Sequence, residues 1–143
     1  MDMSKKLPQG WKEFKLSEVI ESFNGNHLPK SKVLSEGVIP VYGANGIVGY
    51  SEESNFNDKL IAIGRVGSIG KINVVNEEAW ITDNTIIVKP IENIVLFDYI
   101  KMFLNTVNYE RLRTGTTQPL ITKTSVLNLK VPVPPLDLSL IHI

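Results

Sequence analysis

The segment KLIAIGRVGSIGKINVV (residues 59–75) decides how the surrounding chain folds. It contains two β-branched apolar runs, typical of strands, separated by a glycine-rich loop. Gly64, Gly67 and Gly70 are three residues apart, and Lys71 follows the last of them. The segment predicts a strand, a turn and a second strand. It also raises the question of whether the loop binds phosphate or shapes the chain between the strands.

Further strands are predicted on either side of this segment. The run VIPVYGANGIVGYS places a strand at Val38–Tyr42, a turn at Asn45-Gly46 and a second apolar run after it. Asn-Gly between apolar runs is a strong hairpin signal. TIIVKP (residues 85–90) is another strand. KLSEVIESFNGN (residues 15–26) predicts a short helix with Ser17 as its cap, ended by Asn24-Gly25.

The pattern changes to a helical one near residue 96. In LFDYIKMFLNTVNYERLR, apolar residues recur on one helical face, and Gly115 is the predicted stop. LITKTSVLNL predicts a second short helix with Thr122 or Thr124 as its cap, and the prolines of KVPVPPL require an extended segment. The predicted fold class is therefore α+β: a single β-rich domain of short strands and hairpins, followed by a long helix and a short helix.

Composition and charge narrow the class of protein. The 143 residues are 43% hydrophobic and 21% charged, with no cysteine and no apolar run long enough to cross a bilayer. We expect a cytoplasmic protein with no membrane partner. Net charge is zero, which argues against purely electrostatic nucleic-acid binding. However, residues 111–136 contain no acid and four cations, so either a basic face or an ordinary solvated surface is consistent with the distribution.

The catalytic motifs that the glycine loop resembles do not fit. A P-loop ending at Gly70-Lys71 would need glycine at Arg65 and a hydroxyl at Ile72. The dinucleotide fingerprint fails at Ala62 or Arg65, depending on the register, and a β-branched strand follows Lys71 where a helix is required. There is no Gly-x-Ser-x-Gly elbow, and only two histidines are present. We predict neither enzymatic activity nor a metal site.

Four polar turns remain as candidate binding elements. They lie at residues 42–46, 64–68, 80–85 and 113–119, and combine glycine with arginine, asparagine, serine, threonine and glutamine. Such side chains read base edges or hold phosphates, and glycine lets a backbone approach a duplex closely. The same residue types also populate the turns of any β-rich protein. Composition alone leaves both interpretations open.

The order of several strings resembles a known family. GWKEFKLSEVIESFNG, IPVYGANGIVGY, IAIGRVGSIGKI, WITDNTIIVKP and LRTGTTQPLITKTSVLNLKVPVPPL occur in sequence across residues 10–137. This series resembles a target-recognition domain in the specificity subunit of type I restriction–modification systems. The last string is the most specific of the five.

The resemblance implies a non-catalytic reader of double-stranded DNA. A specificity subunit in this family usually has two recognition domains, each reading half of a split target. Its implied partners are a second recognition domain, a methyltransferase subunit that uses S-adenosylmethionine and a restriction–translocase subunit that uses ATP. The chain itself is expected to bind neither cofactor. Alternatives are the recognition domain of a fused restriction–methylation enzyme, or a protein-interaction module on the same fold.

Under this resemblance the glycine loop turns the backbone so that Arg65, Ser68 or Lys71 faces DNA. Arg111 and Arg113, at the end of the predicted long helix, are a second candidate element. Their alternative role is to complement the helix macrodipole. The full set of candidate DNA-binding residues is Tyr42, Asn45, Arg65, Ser68, Lys71, Thr82, Asn84, Arg111, Arg113, Thr116, Thr117, Gln118 and Lys123.

The ends of the chain depart from the family pattern. Residues 1–9 form a lead, and after PPL the sequence DLSLIHI replaces the expected acid, glutamine and long spacer helix. We therefore expect a chain truncated after one recognition domain, with a non-native tail at residues 138–143.

Overall fold

The computed structural model describes residues 7–136, which form three layers around two hydrophobic cores. The predicted tail and residues 1–6 of the lead lie outside the described residues. The strands are β1 Lys12–Lys15, β2 Ile20–Asn24, β3 Ile39–Gly43, β4 Gly46–Ser51, β5 Leu60–Gly64, β6 Ile72–Val75, β7 Trp80–Ile81, β8 Thr85–Pro90 and β9 Lys130–Val133. The helices are α1 Leu16–Val19, α2 Phe97–Thr106 and α3 Lys123–Leu127, with 3-10 helices at Lys30–Lys32 and Tyr109–Leu112.

The central layer is an antiparallel four-stranded sheet in the order β2-β8-β5-β6. One of its two inner strands, β5, is buried throughout and contributes side chains alternately to both cores. Ile61 and Ile63 face the first core, to which α2 and α3 also contribute, whereas Leu60 and Ala62 face the second core. Because successive side chains point to opposite faces, a strand covered on both sides reads as the continuous apolar run seen at residues 60–63.

The second core is closed by a three-stranded sheet in the order β4-β3-β7. β3 and β4 form the predicted hairpin, but its turn is Ala44-Asn45 and not Asn45-Gly46, because Gly46 pairs with Gly43 as the first residue of β4. Gly46 has a φ of +118°. β7 pairs in parallel with β3, where Tyr42 lies opposite Ile81. The fold class predicted from the sequence is confirmed, as are the hairpin and the three strands of residues 60–64, 72–75 and 85–90.

A separate two-stranded sheet joins the two ends of the described chain. β1 and β9 are antiparallel, with Lys12 opposite Val133 and Lys15 opposite Lys130. The segment KVPVPPL is extended as predicted. No helix within residues 7–136 is both long and apolar enough to span a bilayer.

The helix predicted over residues 15–26 is wrong beyond Val19. α1 has four residues, its N-cap is Lys15 rather than Ser17, and Ile20–Asn24 is a strand paired with β8. Ile20 and Phe23 fit one helical face by spacing, but they pack in the first and second cores respectively. Residues three apart in a strand lie on opposite faces, so pairing with β8 overrides the local helical pattern.

The long helix is also shorter than predicted. α2 ends at Thr106, where Val107 takes an extended conformation, so Gly115 does not stop it. Arg111 and Arg113 therefore belong to the 3-10 helix Tyr109–Leu112 and its C-cap, and not to the end of a long helix. Thr122, rather than Thr124, caps α3, because its Oγ1 accepts a hydrogen bond from the Ser125 N–H at 3.1 Å.

Candidate nucleic-acid interface

Arg65 links the second polar turn, to which it belongs, with the third turn and with the segment that follows the fourth. It directly follows β5, and its backbone N–H donates to the Asn84 carbonyl at 3.1 Å. Its side-chain Nε donates to the Asp83 carbonyl at 2.8 Å. Its own carbonyl accepts from the Ile121 N–H at 2.9 Å, just beyond the fourth turn. These bonds fix the Arg65 backbone and one edge of its guanidinium, while the terminal Nη donors form no hydrogen bond within the described residues.

The first turn lies against the glycine loop and the third turn. A Cβ at Gly64 would stand 2.4 Å from the Ala44 carbonyl oxygen and 2.1 Å from that of Ser68. Only glycine permits this approach of two backbones. On its other side, the first turn accepts a 3.0 Å hydrogen bond at the Tyr42 carbonyl from the Thr82 N–H.

The fourth turn pairs directly with the glycine loop. The Gly67 N–H donates to the Pro119 carbonyl at 2.9 Å, and Val66 forms an isolated bridge with Leu120. Leu120 is bridged in turn to Thr114, across the turn itself. We call the surface formed by residues 42–46, 64–68, 80–85 and 113–119 the four-turn surface. The sequence predicted these turns separately, and the structure makes them contiguous.

A cleft of about 310 Å³ opens beside this surface and brings two predicted cations together. Arg65 and Lys123 line it with Asn24 and Asp83. Lys123 Nζ donates to Asn24 Oδ1 at 3.1 Å, which holds the ammonium at the cleft wall. The cleft therefore combines two positive groups with amide and carboxylate groups, a composition suited to a polar or anionic ligand.

The predicted residues differ in accessibility. Those exposed to solvent are Asn45, Ser68, Lys71, Asn84, Arg111, Arg113, Thr116, Thr117 and Gln118. Arg65 and Lys123 are half-buried. Tyr42 is also half-buried against the second core, and burial, followed by the charge of Glu77, raises the pKa of its hydroxyl. Thr82 presents no hydroxyl to solvent, because its Oγ1 is buried without a hydrogen-bond partner among the described residues.

The second basic element connects to the glycine loop through Tyr109. Its ring lies where a Cβ on Gly70 would be, with ring atoms 2.3 Å and 2.6 Å from that position. Arg113 is partly engaged, since its Nη1 lies 3.4 Å from Glu110 Oε1. Arg111 forms no side-chain hydrogen bond or ion pair within residues 7–136, so its guanidinium is the freer of the two.

Sequence reasoning missed two parts of this region. Asn24, read as the end of a helix, lines the cleft at the end of β2. Ile47 and Val48 next to the hairpin turn were read only as strand residues, yet both side chains are more than half exposed. The sequence did carry a signal for Ile47 and Val48, because an apolar run begins directly after Asn45-Gly46.

Fold and surface together define a class: a single α+β domain whose polar turns converge beside a cationic cleft. The chain belongs to the family described as the type I restriction modification DNA specificity domain, which it matches over residues 8–138.

Individual relatives agree with this assignment. The chain is 23% identical over 127 residues to the type I restriction enzyme EcoprrI specificity subunit of Escherichia coli, covering 85% of this chain and 31% of that protein. It also shares its fold with solved structures. The S subunit from M. genitalium has a TM-score of 0.72 at 17% identity, covering 85% of this chain and 34% of that one. The HsdS subunit from Thermoanaerobacter tengcongensis has a TM-score of 0.72 at 22% identity, covering 93% of this chain and 35% of that one.

A third solved structure concerns the complex assembly and conformational transition of the type I R-M system, and it has a TM-score of 0.76 at 23% identity. The match covers 95% of this chain and 37% of that one. The chain thus spans about a third of the length of these relatives.

Proposed function

We propose that this chain reads one half-site of a split DNA target, as a recognition domain of a type I restriction–modification specificity subunit. The observation that carries the proposal is that the four polar turns form one contiguous surface, with Arg65 near its middle. A contiguous surface of arginine, asparagine, threonine and glutamine side chains on a rigid sheet framework supplies the donors and acceptors that base edges require. Family membership supports the same function.

The side chains of the surface divide into two roles. Asn45, Asn84 and Gln118 are exposed amides, which can each donate to and accept from a base edge. Lys71, Arg111 and Lys123 are cations beside the surface and suit the phosphate backbone, which fixes register without carrying sequence information. Arg65 is held by its Nε, which leaves its terminal nitrogens to contact DNA.

The proposed catalytic chemistry lies on other subunits. We propose that this chain directs a methyltransferase subunit using S-adenosylmethionine and a restriction–translocase subunit using ATP, and that it binds neither cofactor itself. Thermal unfolding with millimolar ATP and magnesium, or with S-adenosylmethionine, should then leave the melting temperature unchanged. A ligand at one hundred times its dissociation constant would add about 2.7 kcal/mol. A clear rise in melting temperature would contradict this part of the proposal.

The half-site proposal is tested by selecting bound sequences from a random duplex pool with the purified chain, at low and at moderate salt. We expect an enriched motif of about three to five base pairs that persists when salt is raised, because base-edge contacts depend less on counterion release than phosphate contacts do. The matched pair of variants is Asn84→Ala on the surface and Asn93→Ala outside it. Only the first should alter the motif.

Three other results would count against the proposal. Binding that enriches no sequence and disappears with salt would leave only phosphate contacts. No binding to duplex at either salt would favour a protein-interaction module on the same fold. A motif unchanged by Asn84→Ala and by Asn45→Ala would place base reading outside the four-turn surface. In the first two cases, repeating the selection with a methyltransferase subunit would test whether that partner is required.

A further inference from the structure

Two exposed apolar side chains stand next to the polar residues of the first turn. Ile47 is 54% exposed and Val48 is 59% exposed, although both belong to strand β4. β4 is the edge strand of its sheet and contributes no side chain to the second core. Because consecutive side chains of a strand point to opposite faces, apolar surface is open to solvent on both sides of the hairpin.

A β-bulge lies at this pair. Tyr42 pairs with Ile47 and Val41 pairs with Gly49, which leaves Val48 as an extra residue on β4. Val48 Cγ1 lies 3.1 Å from the position that a Cβ on Gly43 would take, so Val48 packs on the face of Gly43. Ile47 lies opposite Tyr42 and therefore on the other face. The turn end of the hairpin thus presents one branched apolar side chain on each face.

The surroundings of this pair identify its partner. Asn45 is exposed two residues before Ile47, and the Tyr42 opposite Ile47 is bonded to the third turn. The pair is therefore continuous with the four-turn surface. Two side chains are also far smaller than the roughly 800 Å² per partner that a stable protein interface buries. A small apolar contact inside a polar recognition surface fits a nucleic-acid groove better than a second protein.

One base pair presents the complementary chemistry. In the major groove an A·T pair offers the adenine N7 acceptor and N6 donor, which an asparagine amide matches, beside the thymine O4 and the thymine 5-methyl group. We propose that the turn end of the β3–β4 hairpin reads A·T pairs in the major groove, with Ile47 and Val48, one on each face of the hairpin, in contact with thymine methyl groups. This inference rests on the proposed function and adds the base pair and the residues that read it.

The test removes the methyl group alone. Duplexes carrying the selected motif are prepared with each thymine replaced in turn by uracil, and affinities are measured for the full chain. At one position or at two neighbouring positions, uracil should weaken binding about fourfold, the effect of losing one buried methyl. The same uracil should have no effect on the Ile47→Ala, Val48→Ala double variant, because the contact is already absent.

Val38→Ala is the matched control. Val38 is 92% exposed and directly precedes β3, so it lies at the opposite end of the same hairpin. This variant should keep the wild-type response to uracil. All three side chains are exposed, and equal melting temperatures will confirm that the variants fold.

The outcomes separate the inference from the proposed function. A motif without thymine, or a motif in which no uracil weakens binding, would overturn the inference while half-site reading stands. So would a uracil penalty that persists in the double variant. The double variant could instead bind every duplex more weakly while no uracil weakens binding by the wild-type chain. That result would indicate that Ile47 and Val48 act as a wedge between base steps in the minor groove. Failure of the wild-type chain to select any sequence would overturn both.

Discussion

At the scale of single residues, the contact of Gly70 with Tyr109 explains why the glycine loop ends in a glycine. Its φ is +78°, and the Tyr109 ring occupies the space that a side chain would need. Tyr109 is itself fixed, because its hydroxyl donates to the Leu104 carbonyl at 2.7 Å, and burial raises its pKa well above the usual value. The loop is thereby attached to the 3-10 helix that carries Arg111.

We predict that Gly70→Ala destabilises the chain more than Gly67→Ala does. Both residues have positive φ, +78° and +74°, so each alanine pays the left-handed penalty of roughly 1–2 kcal/mol. Only at Gly70 does the new methyl also meet Tyr109, since nothing lies within 4 Å of a Cβ at Gly67. Overpacking should add about 1–3 kcal/mol to the loss. Free energies of unfolding from urea titrations will measure the difference.

Equal losses for the two variants would show that the Tyr109 ring moves aside without cost, and that the loop and the 3-10 helix are not rigidly joined. In that case Arg111 would not be held relative to the four-turn surface. The comparison therefore tests the architecture of the candidate site as well as the local packing.

At the scale of elements, the sequence predicts what is local and misses what depends on distant pairing. The β3–β4 hairpin and the strands flanking the glycine loop follow from turn residues and apolar runs that adjoin in sequence. β2 and β7 do not. β2 is a strand because it pairs with β8, and Ser22 Oγ donates to the Ile87 carbonyl 65 residues away. β7 has only two residues, too few to show a pattern.

The candidate site shows the same division. Its turns are recognisable individually, because small polar residues between apolar runs mark loops that carry exposed donors and acceptors. Their assembly into one surface depends on tertiary structure. Lys123 and Asn24, which share the cleft, are 99 residues apart in sequence. The bulge at Val48 depends on the register of β3 against β4, which the residue pattern did not indicate.

The N-cap of α3 gives a prediction at this scale. Thr122→Ala should cost about 1 kcal/mol, since Thr122 Oγ1 accepts from the Ser125 N–H at 3.1 Å. Thr124→Ala is the control, because Thr124 lies inside the helix with an exposed side chain. Alanine favours helix more than threonine does, so that variant should be neutral or slightly stabilised. Chemical denaturation of both will decide; a larger loss at Thr124 would contradict the capping assignment.

At the scale of the whole molecule, a net charge of zero conceals an uneven distribution of charge. Arg65, Lys71 and Lys123 lie on or beside the four-turn surface, together with the acid Asp83. Glu52 and Glu53 follow β4 at the other end of the hairpin, where Glu53 lies 4.0 Å from Lys32. The two ends of β4 are about 17 Å apart along the strand. Under the proposed function, we expect affinity for DNA to come from a small set of local cations, not from the field of the whole protein.

This arrangement predicts that affinity for DNA depends only moderately on salt concentration. Five cations lie on or near the four-turn surface: Arg65, Lys71, Arg111, Arg113 and Lys123. At about 0.9 per neutralised phosphate, they limit the slope of log affinity against log salt to about −4.5. Lys123→Gln should reduce the magnitude of this slope by about 0.9. The selected motif should stay unchanged, because a phosphate contact carries no sequence information.

Lys89→Gln is the control for that slope. Lys89 lies on β8 about 13 Å along the strand from Thr85, which lines the cleft, and it pairs with Asp58 at 3.0 Å. Its removal should leave the slope unchanged. Fluorescence anisotropy with the selected duplex at four or more salt concentrations gives both slopes. An equal reduction by the two variants would mean that DNA responds to total charge. The cations of the four-turn surface would then have no special place in binding.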